Sequence, residues 1–125
     1  MILGIKNRKD LCEFAENGEV ALEKVKSAVY NNDPHKYSLI LMDCNMPVMD
    51  GYESTKRIRK LLTQMDITIE HQPRIIAITG HVENEYLDKC IECGMNKVFS
   101  KPLNIKEFGK LMVEMRYIEN IPEHL

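Results

Sequence analysis

No apolar run in this chain approaches the roughly 20 residues needed to cross a bilayer. Its opening, Met1-Ile2-Leu3-Gly4-Ile5-Lys6, lacks the long apolar core of a signal peptide. There is no marked excess of charge of one sign: the net charge is -2 at pH 7, so nothing selects a nucleic acid or an anionic membrane. Repeats, low-complexity tracts and linkers are missing too. Four cysteines are present, Cys12, Cys44, Cys90 and Cys93, but no second pair is spaced to complete a zinc site with Cys90 and Cys93. A redox CxxC gains reactivity at a helix N-terminus, whereas this pair falls near a predicted helix C-terminus, just before Gly94. Cysteines of a reducing compartment are the expectation, and with them a soluble, intracellular chain.

What is present fits one domain of ordinary size. The 125 residues are 44% hydrophobic, enough for a core. Periodic segments alternate along the chain. Residues 11–15 read as a short strand, and 19–30 as a helix with Ala21, Leu22, Val25, Ala28 and Val29 on one face. Residues 39–43 form an apolar run without alternation, as in a parallel strand buried on both faces. A helix over 52–65 follows, with Ile58, Leu61, Leu62 and Met65 inward, then a polar, β-branched connection over 66–73 that has no clear place. Residues 75–79 read as a strand, 83–93 as a helix stopped by Gly94, and 97–100 as a strand. Asn104, with Glu107 three residues on, opens a last helix whose inward face is Ile105, Phe108, Leu111, Met112 and Met115. This alternation predicts an α/β fold with a parallel sheet.

Three of the strands end in polar residues. The run Leu39-Ile40-Leu41-Met42 stops at Asp43, Ile75-Ile76-Ala77-Ile78 runs into Thr79-Gly80, and Val98-Phe99-Ser100 runs into Lys101-Pro102. In an open parallel sheet, ligands bind beyond the carboxyl ends of the strands. A carboxylate there can attack phosphorus to give an acyl phosphate. A lysine can hold a phosphoryl oxygen as a point charge, and a hydroxyl can donate to another. Three unrelated strand-end polar residues are the bland alternative. The histidines His35, His71, His81 and His124 follow no pattern. His81 could touch the same crevice, although a solvent-exposed loop histidine is the simpler reading.

These residues resemble the receiver domains of two-component response regulators and hybrid histidine kinases. The resemblance rests on Met42-Asp43-Cys44-Asn45-Met46-Pro47-Val48-Met49-Asp50-Gly51, Ala77-Ile78-Thr79-Gly80 and Phe99-Ser100-Lys101-Pro102-Leu103. Ala15-Glu16-Asn17-Gly18-Glu19-Val20-Ala21-Leu22 adds the end of the family's second strand and the start of its second helix. It implies a flavodoxin-like sheet of strand order 2-1-3-4-5 with helices on both faces. The expected domain covers 1–118, incomplete at its N-terminus, with a tail over 119–125. By resemblance, Asp43 accepts a phosphoryl group from a phosphohistidine, Thr79 reports it by turning its hydroxyl inward, and Lys101 binds it. The Lys101–Pro102 bond is a candidate for the cis form. Mg²⁺ is the implied cofactor, with Asp43 and the backbone carbonyl of Asn45 as ligands. The implied partner is a histidine kinase or a histidine phosphotransfer protein. The implied setting is the cytoplasm, alone or within a larger membrane-bound hybrid kinase, and the implied role is that of an acceptor, not an enzyme.

The pattern breaks in two places. The family's first strand ends in an acidic pair that helps hold the metal, and no such strand is legible. Residues 1–5 look instead like the last turn of the family's first helix. A sheet without that central strand must close up, leave a groove open to self-association, or borrow a strand, and Mg²⁺ binding is then weakened or lost. Asp50 belongs to the loop and helix start, and Glu16 is a strand-end residue with only a remote claim on the crevice. The second break is Val98, which stands where the family often has the Phe or Tyr that moves with the threonine; Phe99 alternates to the other side. Two alternatives follow: a pseudo-receiver that binds proteins without phosphorylation, and an aspartate-dependent phosphatase of the haloacid dehalogenase kind. The latter needs a second Asp two residues after the nucleophile, where Asn45 stands.

Overall fold

The computed structural model of the chain describes residues 2–3, 12–13, 15–80, 83–102, 104, 106–107 and 109–110. Two buried parallel strands form its centre, β3 (Leu39–Asp43) and β4 (Arg74–Thr79), in register from Leu39 against Arg74 to Asp43 against Ile78. Leu39, Ile40, Leu41 and Met42 are all buried, which is why this strand shows no alternation: both of its faces are covered. A strand β5 (Lys97–Ser100) adds to β4, also parallel. Parallel neighbours require crossover connections, and helices supply them: α2 (Gly51–Gln64) between β3 and β4, and α3 (Asn84–Cys93) between β4 and β5. A third helix, α1 (Gly18–Tyr30), leads into β3.

The other half of the sheet corrects the sequence reading. Ile2 and Leu3 are not the end of a helix. They form a strand, β1, that pairs antiparallel with β3 through Ile2 to Ile40 and Leu3 to Leu39. A further strand, β2 (Cys12–Glu13), pairs antiparallel with β1 and so runs parallel to β3. The order β2-β1-β3-β4-β5 is the expected one with its second position reversed. No gap separates β2 from β3 at Leu39 and Ile40, so a groove open to self-association is not found there. The physical reason is the backbone: N–H and C=O groups inside a sheet must be paired, and a single helical turn offers no comparable saturation.

Local chemistry sets the helix ends. Asn17 Oδ1 accepts from the Val20 N–H at 2.9 Å to cap α1, and Asp50 Oδ1 accepts from the Glu53 N–H at 2.9 Å to cap α2. Helix α3 stops at Gly94, whose φ is 109°, as the left-handed stop requires. In α1 the buried face is Ala21, Leu22, Val25, Ala28 and Val29, and in α2 Ile58 and Leu62 are fully buried. Met65 is not inward: it follows the last turn of α2, and half of its surface is exposed. The unplaced connection contains a 3-10 turn, Ile69–His71. Gln72 behind it is buried, and its amide donates to the Ile67 carbonyl at 2.8 Å.

Arg59 joins these pieces. Its guanidinium donates to the carbonyls of Gly94 (2.9 Å) and Pro73 (2.8 Å), to Gln72 Oε1 (3.2 Å) and to Asn96 Oδ1 (2.8 Å). At the sheet edge, Tyr37 donates its hydroxyl hydrogen to Glu13, and that bond holds the Glu13 carboxyl below the usual carboxylate range. Asn104 Oδ1 accepts from the N–H groups of Lys106 (2.9 Å) and Glu107 (3.1 Å), so it opens a helix as expected. The predicted inward face of that helix and the tail over 119–125 lie outside the described residues.

Candidate functional site

Asp43 is the last residue of β3, and Lys101 follows the last residue of β5. Because β4 lies between them, the two side chains reach across its end. The Lys101 ammonium sits 3.0 Å from Oδ1 and 2.9 Å from Oδ2 of Asp43, so one cation spans both oxygens. The side chains remain 43% and 36% exposed. An ion pair this open adds little stability, so its interest is chemical: an accessible carboxylate oriented by a point charge. The Asn45 N–H also donates to Oδ1 at 2.9 Å. Thr79 ends β4 one residue past Ile78, the partner of Asp43, and is fully buried. The Lys101 N–H donates to the Thr79 carbonyl at 2.8 Å, and the Lys101–Pro102 bond is cis.

The loop after Asp43 is clamped at both ends. The Cys44 N–H continues the ladder to the Ile78 carbonyl at 3.1 Å, and the Gly51 N–H returns to the Cys44 carbonyl at 3.2 Å. A Cβ at Gly51 would lie 2.3 Å from the Asp43 carbonyl oxygen, so only glycine permits this approach. At Gly18 a Cβ would meet the Met49 oxygen at 2.4 Å, the same oxygen that accepts from the Gly18 N–H. Between the clamps the Met49 N–H donates to the Pro47 carbonyl at 2.7 Å, a γ-turn with Val48 at its centre and φ of 68°. This is the strained form of that turn.

Other candidate residues are placed elsewhere. Asp50 is committed to capping α2, Glu16 is exposed, and Val98 is half-buried against the core while Phe99 is buried. His35 and His71 are exposed, and His81 and His124 lie outside the described residues. Mg²⁺ was implied at Asp43 and Asn45. Among the described residues no three His, Cys, Asp or Glu side chains converge as a metal site. Among the described residues the carboxylate at this site is that of Asp43, which already has both oxygens on Lys101. A hard ion seeking near-octahedral oxygens does not fit that donor set.

Sequence reasoning missed a cluster directly behind the site. The Cys44 and Cys90 sulfurs are 3.9 Å apart and buried. Tyr52 is buried in the same core cluster, and the Lys89 ammonium lies 4.3 Å from the centre of the Tyr52 ring. Burial, and next the neighbouring Cys90, push the Cys44 thiol up to about 12; burial raises Cys90 and Tyr52 as well. The CxxC spacing drew attention to Cys93, whose thiol donates instead to the Cys90 carbonyl at 3.1 Å. No short-range signal links Cys44 to Cys90.

The model of the response regulator receiver domain matches residues 5–112. The two-component response regulator ORR41 of Oryza sativa subsp. japonica is 36% identical over 107 residues, 86% of this chain and 74% of that protein. Histidine kinase 1 of Arabidopsis thaliana is 42% identical over 81 residues, 65% of this chain but 6% of that protein, so the chain spans a small part of such kinases. Among solved structures, the receiver domain of the histidine kinase CKI1 from Arabidopsis thaliana, complexed with Mg²⁺, gives a TM-score of 0.64 at 31% identity, covering 79% of this chain and 69% of that one.

Proposed function

The chain belongs to the response regulator receiver domain family, and from that premise we propose that it accepts a phosphoryl group on Asp43 in a histidine-to-aspartate relay. The observation that carries this reading is the Lys101 ammonium held against both oxygens of Asp43. An Asp43 oxygen forms the new O–P bond as the P–N bond to the donor imidazole breaks and its electron pair returns to the ring. Negative charge spreads over the equatorial phosphoryl oxygens during transfer. Lys101, released as the carboxylate charge is lost to the new O–P bond, neutralises one of them. The Thr79 hydroxyl is the proposed donor to another. The phosphoryl group carries about -1.5 to -2 of charge in place of the carboxylate's single negative charge, beside a strained loop and the ends of β4 and β5.

The partner is a histidine kinase or a histidine phosphotransfer protein. The role is stoichiometric, not enzymatic: Asn45 stands where a phosphatase of the aspartate-dependent kind needs a general acid, and an amide cannot transfer the proton. Mg²⁺ accompanies the related CKI1 receiver domain, but the described residues here do not fit it and no step is assigned to it. That same misfit favours a second reading, a receiver fold used only for protein binding.

Intact mass after exposure to acetyl phosphate, with and without Mg²⁺, separates the two. A gain of one phosphate that disappears in Asp43→Asn, with circular dichroism showing both proteins folded, is the expected result. A folded wild-type chain that gains nothing would leave the binding module.

A further inference from the structure

The phosphoryl chemistry above makes no use of the two thiols behind it. Cys44 follows Asp43 in the chain, and Cys90 is on the last turn of α3. Their sulfurs are 3.9 Å apart, the contact of an S–H donor with a second sulfur, and neither residue has more than 1% of its surface exposed. The contact is non-local, 46 residues apart, and it joins the end of β3 to a crossover helix. The nearer cysteine in sequence, Cys93, is turned toward its own helix backbone.

We propose that Cys44 and Cys90 are a modification site, a dithiol that an oxidant of the hydroperoxide class converts to a reversible disulfide tying β3 to α3. One thiol, as thiolate, attacks a peroxide oxygen; the O–O bond breaks, the leaving oxygen takes up a proton as water, and a sulfenic acid remains. The second sulfur attacks the first, the S–S bond forms, the S–O bond breaks, and a second water leaves. In sum, two thiols and one hydrogen peroxide give one disulfide and two waters. The sulfurs must close from 3.9 Å to about 2.05 Å. Burial keeps both thiols protonated in the closed fold, so the reaction proceeds through local opening of α3 and is slow. The bond restrains α3 against the strand that ends in Asp43. Any effect on phosphoryl uptake rests on the acceptor reading; the bond itself does not.

The test uses the full reduced chain exposed to hydrogen peroxide, followed by alkylation of remaining thiols in denaturant, intact mass and peptide mapping. The expected product has lost two hydrogens, carries a Cys44–Cys90 crosslink, and reverts with dithiothreitol. Cys93→Ser and Asp43→Asn form it as the wild type does, while Cys44→Ser and Cys90→Ser do not. Because Asp43→Asn is included, failure of the crosslink and failure of phosphoryl uptake are read separately. A folded protein that keeps all its thiols alkylatable, gains only oxygen, or links through Cys12 or Cys93 would overturn the proposal. Cys93→Ser keeps the test decisive where a Cys44 or Cys90 variant unfolds.

Discussion

Val48 holds the most strained backbone near the candidate site. It sits at a φ of 68° with 77% of its surface exposed. A β-branched residue in the left-handed region costs roughly 1–2 kcal/mol, and here no buried contact offsets it. Asparagine tolerates that region far better. Val48→Asn is therefore expected to raise the unfolding free energy by about 1 kcal/mol, read as a higher urea midpoint at an unchanged m-value. A lower midpoint would mean that the turn is not strained. Asp43, Lys101 and Asp50 were legible as single residues, because each stands at the end of a periodic segment where a polar side chain must do something. Val48 was not, since a sequence carries no sign of φ. The Cys44–Cys90 contact was hidden for a different reason: two separate elements have to be packed before those sulfurs meet.

Helix α2 shows how one side chain can hold several elements together. Arg59 stands in sequence among other cations, Lys56, Arg57 and Lys60. In the fold its guanidinium serves four acceptors that lie 13 to 37 residues further along, and burial lowers its pKa from the ordinary arginine value. Arg59→Met keeps the apolar stem and removes every donor. It leaves the Gly94 and Pro73 carbonyls to find other partners, at a cost of about 2–4 kcal/mol, measurable by urea or thermal unfolding. Arg59→Lys is expected to recover only part of this, because one ammonium cannot reproduce the planar fork. A loss below about 0.5 kcal/mol, the range of ordinary surface changes, would remove Arg59 from this role. The neighbouring stop at Gly94 was predictable from sequence. The exposure of Met65 was not, because it depends on where α2 ends and Asp66 turns away with φ of 60°.

For the molecule as a whole, the sheet depends on how its second position is filled. The two-residue β1 runs against its neighbours and pairs on both sides. Leu3→Pro removes a ladder N–H from an interior strand and is expected to destabilise the fold by about 1–3 kcal/mol. Unchanged stability would mean that residues 2–3 contribute nothing to the sheet. The α/β class, the parallel strands β3 to β5, the stop at Gly94, the Asn104 cap and the polar strand ends all followed from local pattern. Each depends on the burial of a face or the saturation of a helix terminus, and neighbouring residues encode both. The direction of β1, the Arg59 junction, the clamp of Gly18 and Gly51 on the Asp43 loop, the thiol pair and the contact of Lys101 with both oxygens of Asp43 were decided only by tertiary packing. They join groups distant in sequence, whose meeting is set by how the sheet satisfies its backbone and how the helices close over it.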